Sequence, residues 1–391
     1  PRVRRQRQMC IRDRYYVGKD YSLGGITLLC KFDGQRVTMA SQIAGADETV
    51  SSLYSVKSEQ ATMLSFDTYN YLVHYFGQPQ GSMADDPNGT LGGDYEFVIS
   101  DATADRIELK GKKYGNRIVM KAFSADQTWK QYLTRIKKVE DDAFFYEYDL
   151  RMDGLYTGQM LRSNYTFIVT YYDEVGKVYQ KTVPFMFTTD GMRFHEPVTI
   201  DGQTMQNFVW KNEEISFVCT DEGATGVKMK GIYIDGYQSY DYYPGTYLMD
   251  FYRLNGATNQ LEVASQEIQL VKNEDGKSYW LKGLEYDILV TYDKPRGGLS
   301  ILPQFLKKVQ GGYVYLAMWD LMNDYVLRSS AIGLISYPTT DGIYLVDNGV
   351  WMGEISGFIF GVYDSQDEEA SFMGYTDAVA AIRLIKKTIE E

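Results

Sequence analysis

From Tyr21 onward the chain is written in short runs of alternating apolar and polar residues, separated by Gly, Asp or Asn. Ile26-Thr-Leu-Leu-Cys-Lys-Phe32, the dipeptide Asp33-Gly34 and Val37-Thr-Met-Ala-Ser-Gln-Ile43 read as two strands and a tight turn. A period of two lays one face on a core, and Gly supplies the positive φ that such a turn needs. Similar runs recur at 54–57, 63–67, 71–76, 95–100, 106–110 and 116–121, so this part of the chain predicts eight locally connected strands. An up-and-down meander removes its open edges by curling into a barrel, lipocalin-like in outline.

One segment changes period. Ser124-Ala-Asp-Gln127 has the form of a capping box, and Trp129, Tyr132, Leu133 and Ile136 follow at helical spacing. These predict one short amphipathic helix near 125–137, packed over a sheet or barrel end, with the charged stretch Lys137 to Asp142 as a boundary. Strand patterns resume at 144–151, 165–172, 177–188, 204–210 and 214–220, and Asp221 to Gly226 reads as a loop. A third stretch has strands near 246–253, 262–271, 278–282, 287–292, 313–319, 343–346, 357–363 and 381–386. The last could equally be helix, because Ala378 to Ile389 is rich in helix-favouring residues. The expected fold is all-β and mainly antiparallel, with the barrel followed by one or two further β-sandwich or barrel modules. Its expected parts are a meander plus helix at 15–140, an antiparallel module at 141–222 and a C-terminal β domain at 223–391.

Composition sharpens this picture in three ways. Tyrosine, with 34 copies against 9 prolines, suits pleated, half-buried surfaces and supports sheet. The net charge of -12 argues against a nucleic-acid partner, which would need clustered Lys and Arg. Residues 1–14 run against the trend with six Arg and one Asp. There Met9-Cys10-Ile11-Arg12-Asp13 resembles the translated end of a transposon used in sequencing-library preparation, so 1–14 are expected to be a non-native segment that hides the true N-terminus.

Candidate chemistry is sparse. With only His74 and His195, histidine-based catalysis is narrowly constrained. His74 falls in an expected strand and His195 follows the Asp190-Gly191 turn, near an expected barrel mouth; a structural role is favoured for both. Among 52 acidic residues no glycosidase-like pair can be selected. The turns Asp85-Asp86-Pro-Asn88-Gly89 and Asp364-Ser-Gln-Asp367-Glu368-Glu369 lack the twelve-residue calcium-loop pattern and read as solvated loops. The pairs Gly24-Gly25, Gly92-Gly93, Gly297-Gly298 and Gly311-Gly312 read as turns or bulges rather than phosphate loops. Cys30 and Cys219 lie in apolar runs and read as buried thiols. No catalytic residue, metal site or cofactor is expected.

The densest feature is Tyr233-Ile-Asp-Gly-Tyr237-Gln-Ser-Tyr240-Asp-Tyr242-Tyr243-Pro-Gly-Thr-Tyr247. If exposed, Tyr237, Tyr240, Tyr242 and Tyr243 would offer flat apolar faces with polar rims to a glycan or peptide. The competing reading packs them on neighbours, as it does Trp319 and Trp351.

Gly25-Ile-Thr-Leu-Leu-Cys-Lys-Phe-Asp-Gly34, Arg36-Val-Thr-Met-Ala-Ser41, Ser55-Val-Lys57, Leu64-Ser-Phe-Asp-Thr-Tyr-Asn70, His74-Tyr-Phe76, Gly93-Asp-Tyr-Glu-Phe-Val98 and Leu109-Lys-Gly-Lys-Lys113 together resemble an uncharacterised lipoprotein family, domain of unknown function 4302. The resemblance covers Tyr21 to about Cys219. It implies export by gut Bacteroidota, an outer-membrane location through a lipidated cysteine missing from this sequence, and genes near nutrient-uptake receptors and zinc metallopeptidases. It implies no enzyme activity. The expected function is a non-enzymatic surface lipoprotein of unknown ligand, a glycan- or peptide-binding accessory of a nutrient-uptake system, with an outer-membrane uptake receptor as expected partner. The alternatives are a hydrolase with an unidentified carboxylate pair, or a structural or adhesive surface protein.

Overall fold

The computed structural model describes residues 10–17, 21–58, 61–78, 91–103, 105–123, 126–173, 175–367 and 369–387. It is antiparallel β with few helical turns, and two compact units divide the chain after Tyr233.

The first unit contains two closed eight-stranded barrels. Barrel one runs through Cys10–Val17, Gly24–Asp33, Arg36–Ser41, Val50–Ser58, Thr62–Phe66, Glu96–Ala102, Arg106–Gly111 and Arg117–Ala122, with the first strand also paired to the last. The expected hairpin is present: Leu28 pairs with Ser41 and Asp33 with Arg36 around Gly34 at φ 59°.

Two strands of this barrel depart from the sequence reading. The 71–76 run is a helical turn, Tyr71–His74, followed by a 3-10 turn, Tyr75–Gly77. The Asn70 side chain accepts the Leu72 N–H at 3.1 Å, and Leu72, Val73 and Phe76 all enter the barrel core. A strand would have sent the adjacent Leu72 and Val73 to opposite faces, whereas a helical turn buries both. The eighth strand is instead Cys10–Val17, whose backbone pairs on both sides from Ile11, so the boundary expected at residue 14 falls inside it.

The barrel interior is a packed core. The Tyr15 ring meets Phe76 and Phe97 edge-on at 6.0 and 5.9 Å, among buried Leu28, Met39, Phe66 and Met120. Eight strands enclose just enough room for such side chains. The Tyr15 hydroxyl accepts the Asp94 N–H and donates to the Asp94 carbonyl, both at 2.9 Å. The buried Asp94 carboxylate accepts the N–H groups of Lys113 (2.7 Å), Tyr114 (3.0 Å) and Asn116 (3.1 Å), and the Asn116 amide at 2.9 Å. Only glycine fits at Gly111, where a Cβ would lie 1.9 Å from that carboxylate.

The helix is Trp129–Asp142. Its capping box is Thr128 with Gln131, four residues beyond the expected one, and the Lys137 to Asp142 stretch continues the helix instead of ending a domain. As expected it is amphipathic: Tyr132, Leu133, Ile136 and Val139 pack on the core of the second barrel.

Barrel two runs through Glu147–Met152, Leu155–Ser163, Thr166–Tyr172, Val178–Phe187, Gly191–Ile200, Gln203–Lys211, Ser216–Cys219 and Val227–Ile232. The last strand closes on the first, with Met229 opposite Leu150, so the boundary expected at 222 lies one strand early. Its interior is also filled, with Phe167 stacked on Phe185 at 4.5 Å beside Phe194, Phe217 and Met229. Cys30 and Cys219 lie in the separate cores of the two barrels.

The second unit is one twelve-stranded sheet between Gly245 and Lys386. Eight of its strands close on themselves through pairing of Gly245–Asn255 with Phe372–Lys386, and the rest extend from the latter strand. The C-terminal segment is therefore strand, because its pairing on both sides outweighs its helix propensity.

Candidate functional site

The tyrosine-rich segment lies in the second unit, and most of it is committed to packing. Tyr243 is fully buried and its hydroxyl donates to the Gly297 carbonyl at 2.8 Å. Tyr240 is half-buried, stacked on Tyr279 at 4.7 Å, with its hydroxyl shared between the carbonyls of Ser278 (2.8 Å) and Asn273 (3.2 Å). Tyr237 is half-buried and accepts from the Tyr292 hydroxyl at 3.1 Å. Tyr242 is exposed, with the Lys386 ammonium 5.1 Å from its ring centroid. Burial pushes the phenol pKa of Tyr243 and Tyr240 upward. The four tyrosines proposed as a platform are therefore not exposed together: Tyr243 is an interior hydrogen-bonded staple, as the competing reading has it, and only Tyr242 is exposed.

The other expected features also have structural partners. His74 Nδ1 accepts the Asn70 N–H at 3.1 Å and its ring stacks on Tyr95 at 4.9 Å. Trp319 is buried, and the Trp351 indole donates to buried Asp320 at 3.0 Å. The 85–89 turn and Glu368 lie outside the described residues.

A more informative site forms where the two barrels of the first unit meet. Gly24, at φ 70°, approaches barrel two so closely that a Cβ would stand 2.0 Å from the Tyr165 carbonyl oxygen. A Cβ at Gly25 would stand 2.7 Å from the Tyr16 ring and 3.0 Å from Met186 Cβ. This glycine pair is thus a contact between barrels as well as the start of a strand.

Beside that contact is a pocket of about 320 Å³ lined by Tyr16, Arg106, Arg117, Lys121, Arg193 and His195, with Val119. Alternation on Arg117–Ala122 turns Ile118 and Met120 into the core and leaves Arg117, Val119 and Lys121 on the outer face. Arg106 joins them because it pairs with Lys121. On barrel two, pairing between Gly191–Ile200 and its neighbour slips between Arg193 and Val198, a bulge that carries Arg193 and His195 toward the pocket.

Among the described residues the pocket is lined by four cations and by no carboxylate. Glu108, nearby, bridges Arg106 and Arg117, the latter at 3.4 Å. Arg193 is held by neutral groups: it donates to Asn207 Oδ1 and, at 2.8 Å, to Gln206 Oε1. The Asn207 amide donates in turn to Asp221 at 2.5 Å, the Gln206 amide donates to the carbonyls of Phe194 and His195 at 3.3 Å, and Asp221 also accepts the backbone N–H groups of Gln206 (2.5 Å) and Asn207 (2.7 Å). His195 is wedged between Tyr16 and Tyr21, at 4.1 and 4.4 Å, with its Nδ1 buried and without a hydrogen-bond partner. Burial lowers its pKa, Glu196 at 4.0 Å opposes this, and Arg117 adds to it. Such a site can hold and orient an anion. Arg106, Arg117, Lys121 and Arg193 were absent from the sequence-based candidates.

Fold and site together define a chain of linked, filled β-barrels with a cationic seam. The chain belongs to the family described as Domain of unknown function (DUF4302), whose model matches residues 12–212. A second model, DUF4987, described as a domain of unknown function, matches residues 220–359. No curated protein and no solved structure matches the chain. The first match holds every residue that lines the seam pocket, and the junction between the two matches falls inside barrel two.

Proposed function

We propose that this protein is a non-enzymatic binding accessory, anchored at the bacterial surface as a lipoprotein, that presents a glycan or peptide to an outer-membrane nutrient-uptake receptor. The observation that carries the binding part is the seam pocket: cationic and aromatic side chains converge there from two barrels on rigid strands. Hydrolysis of a glycoside needs two carboxylates flanking the bond, and the described lining offers none, which supports binding over turnover. The surface and uptake parts follow from the family resemblance.

The test is a glycan and peptide array on the full chain, with calorimetry of each hit and a product assay on the same samples. Binding with ligand recovered intact supports the proposal. Turnover would overturn it in favour of a hydrolase, and silence on both would favour a structural surface protein.

A further inference from the structure

We propose that the seam pocket selects an oxyanion, a sulfate, phosphate or uronate group, held by the guanidinium groups of Arg106, Arg117 and Arg193 with Lys121 and His195 beside them. The inference rests on the binding reading above and narrows its ligand.

Three observations carry it. The first is the concentration of charge: four cations line one cavity, with no carboxylate among the described lining residues, in a chain whose net charge is -12. Guanidinium groups cannot relieve their mutual repulsion by losing a proton, so an anion is the natural occupant. The second is how the charges are held. Glu108 is one carboxylate shared by Arg106 and Arg117, which fixes both while neutralising one charge. Arg193 is aimed by the amide oxygens of Asn207 and Gln206, which orient a guanidinium without cancelling it. Forked donors pre-aimed in this way suit an oxyanion with several acceptor oxygens better than a neutral hydroxyl. The third is His195. Its side chain is 9% exposed and lines the cavity, held between the Tyr16 and Tyr21 rings, so that an imidazole stands beside the guanidinium groups.

The site is built from both barrels, Arg106, Arg117 and Lys121 from one and Arg193 and His195 from the other, so an occupant also ties them together.

The experiment is calorimetry on the full chain at pH 7 with sodium sulfate, sodium phosphate, sodium glucuronate and glucose, each at low and high sodium chloride. At least one anion binds, glucose does not, and affinity falls as chloride rises. Arg193→Gln and Arg117→Gln each weaken that binding by about tenfold or more, from the worth of one charge-assisted hydrogen bond. Arg106→Gln serves as a third variant, because Arg106 is exposed and its replacement leaves the barrel core intact. The anion that binds best assigns the source among the three. Failure of all three anions overturns the inference, as does binding unchanged in all three variants. If array hits are instead neutral ligands insensitive to salt, the binding reading stands and this inference falls. Absence of any ligand, charged or neutral, removes both.

Discussion

Replacing Asp94 by Ala tests what closes barrel one. The Asp94 carboxylate accepts N–H groups from Lys113, Tyr114 and Asn116 and the Asn116 side-chain amide. Lys113 and Tyr114 lie toward the surface, where water can replace the lost acceptor, so each costs about 1 kcal/mol. Asn116 is 1% exposed, and stranding its donors costs about 2 kcal/mol more. The sum is about 4 kcal/mol, on the order of a thousandfold in opening. All five tryptophans lie outside this barrel, so intrinsic fluorescence is the wrong reporter. Hydrogen exchange read by mass spectrometry on peptides covering 106–122 is the right one. Exchange there should accelerate strongly in the Ala variant and by roughly half as many decades in Asp94→Asn, which keeps one acceptor oxygen. Peptides of the second unit should be unaffected. Exchange over 106–122 unchanged in the Ala variant would refute the reasoning, because the carboxylate would then not be what holds the 111–117 turn.

Gly24→Ala puts a Cβ against the Tyr165 carbonyl and a non-glycine residue at positive φ; a loss of about 2 kcal/mol or more is expected in thermal unfolding, and an unchanged melt would show that the barrels do not touch there. Tyr243→Phe removes one buried hydroxyl bond and should cost about 1 kcal/mol in urea titration, while Tyr243→Ala should cost about 3–5 kcal/mol; an Ala variant of native stability would return Tyr243 to the candidate ligand residues. His195 has its folded pKa below 6.5, so the ligand-free protein should lose stability as pH falls through about 6.5 toward that lower value. Tyr16, Tyr21, Glu196 and Arg117 face the imidazole, and His195→Gln should flatten this slope in melts between pH 5 and 8.

Some of this fold is plain in the sequence and some is not, for identifiable reasons. The hairpin from Ile26 to Ile43 is legible because its alternation and its Asp-Gly turn agree. The 71–76 run misleads because its aromatic residues favour strand, while the deciding signal, Asn70 as a cap before two adjacent apolar residues, is local and easily passed over. The resemblance to the family rests partly on Gly93-Asp94 and Leu109-Lys-Gly111, and the structure gives Asp94 and Gly111 among them a physical role in one buried carboxylate nest. The seam is the least legible part. Arg117, Val119 and Lys121 alternate with core residues and read as an ordinary solvated strand face until barrel two supplies Arg193 and His195 from more than seventy positions along the chain.

The location of the pocket follows from the filling of the barrels. A lipocalin-like outline suggests a ligand held inside, yet Tyr15, Phe66 and Phe97 occupy one interior and Phe167, Phe185 and Phe217 the other. Closure leaves each barrel with a convex outer wall and no free edge on which a ligand could add as a strand. The concavity of the seam pocket comes from the meeting of two such convex walls. Gly24 and Gly25 set how closely those walls approach, and the bulge after Arg193 sets which side chains look into the gap. A bulkier pair at 24–25 would hold the walls apart and separate Arg117 from Arg193, so the contact and the cationic pocket depend on the same two residues.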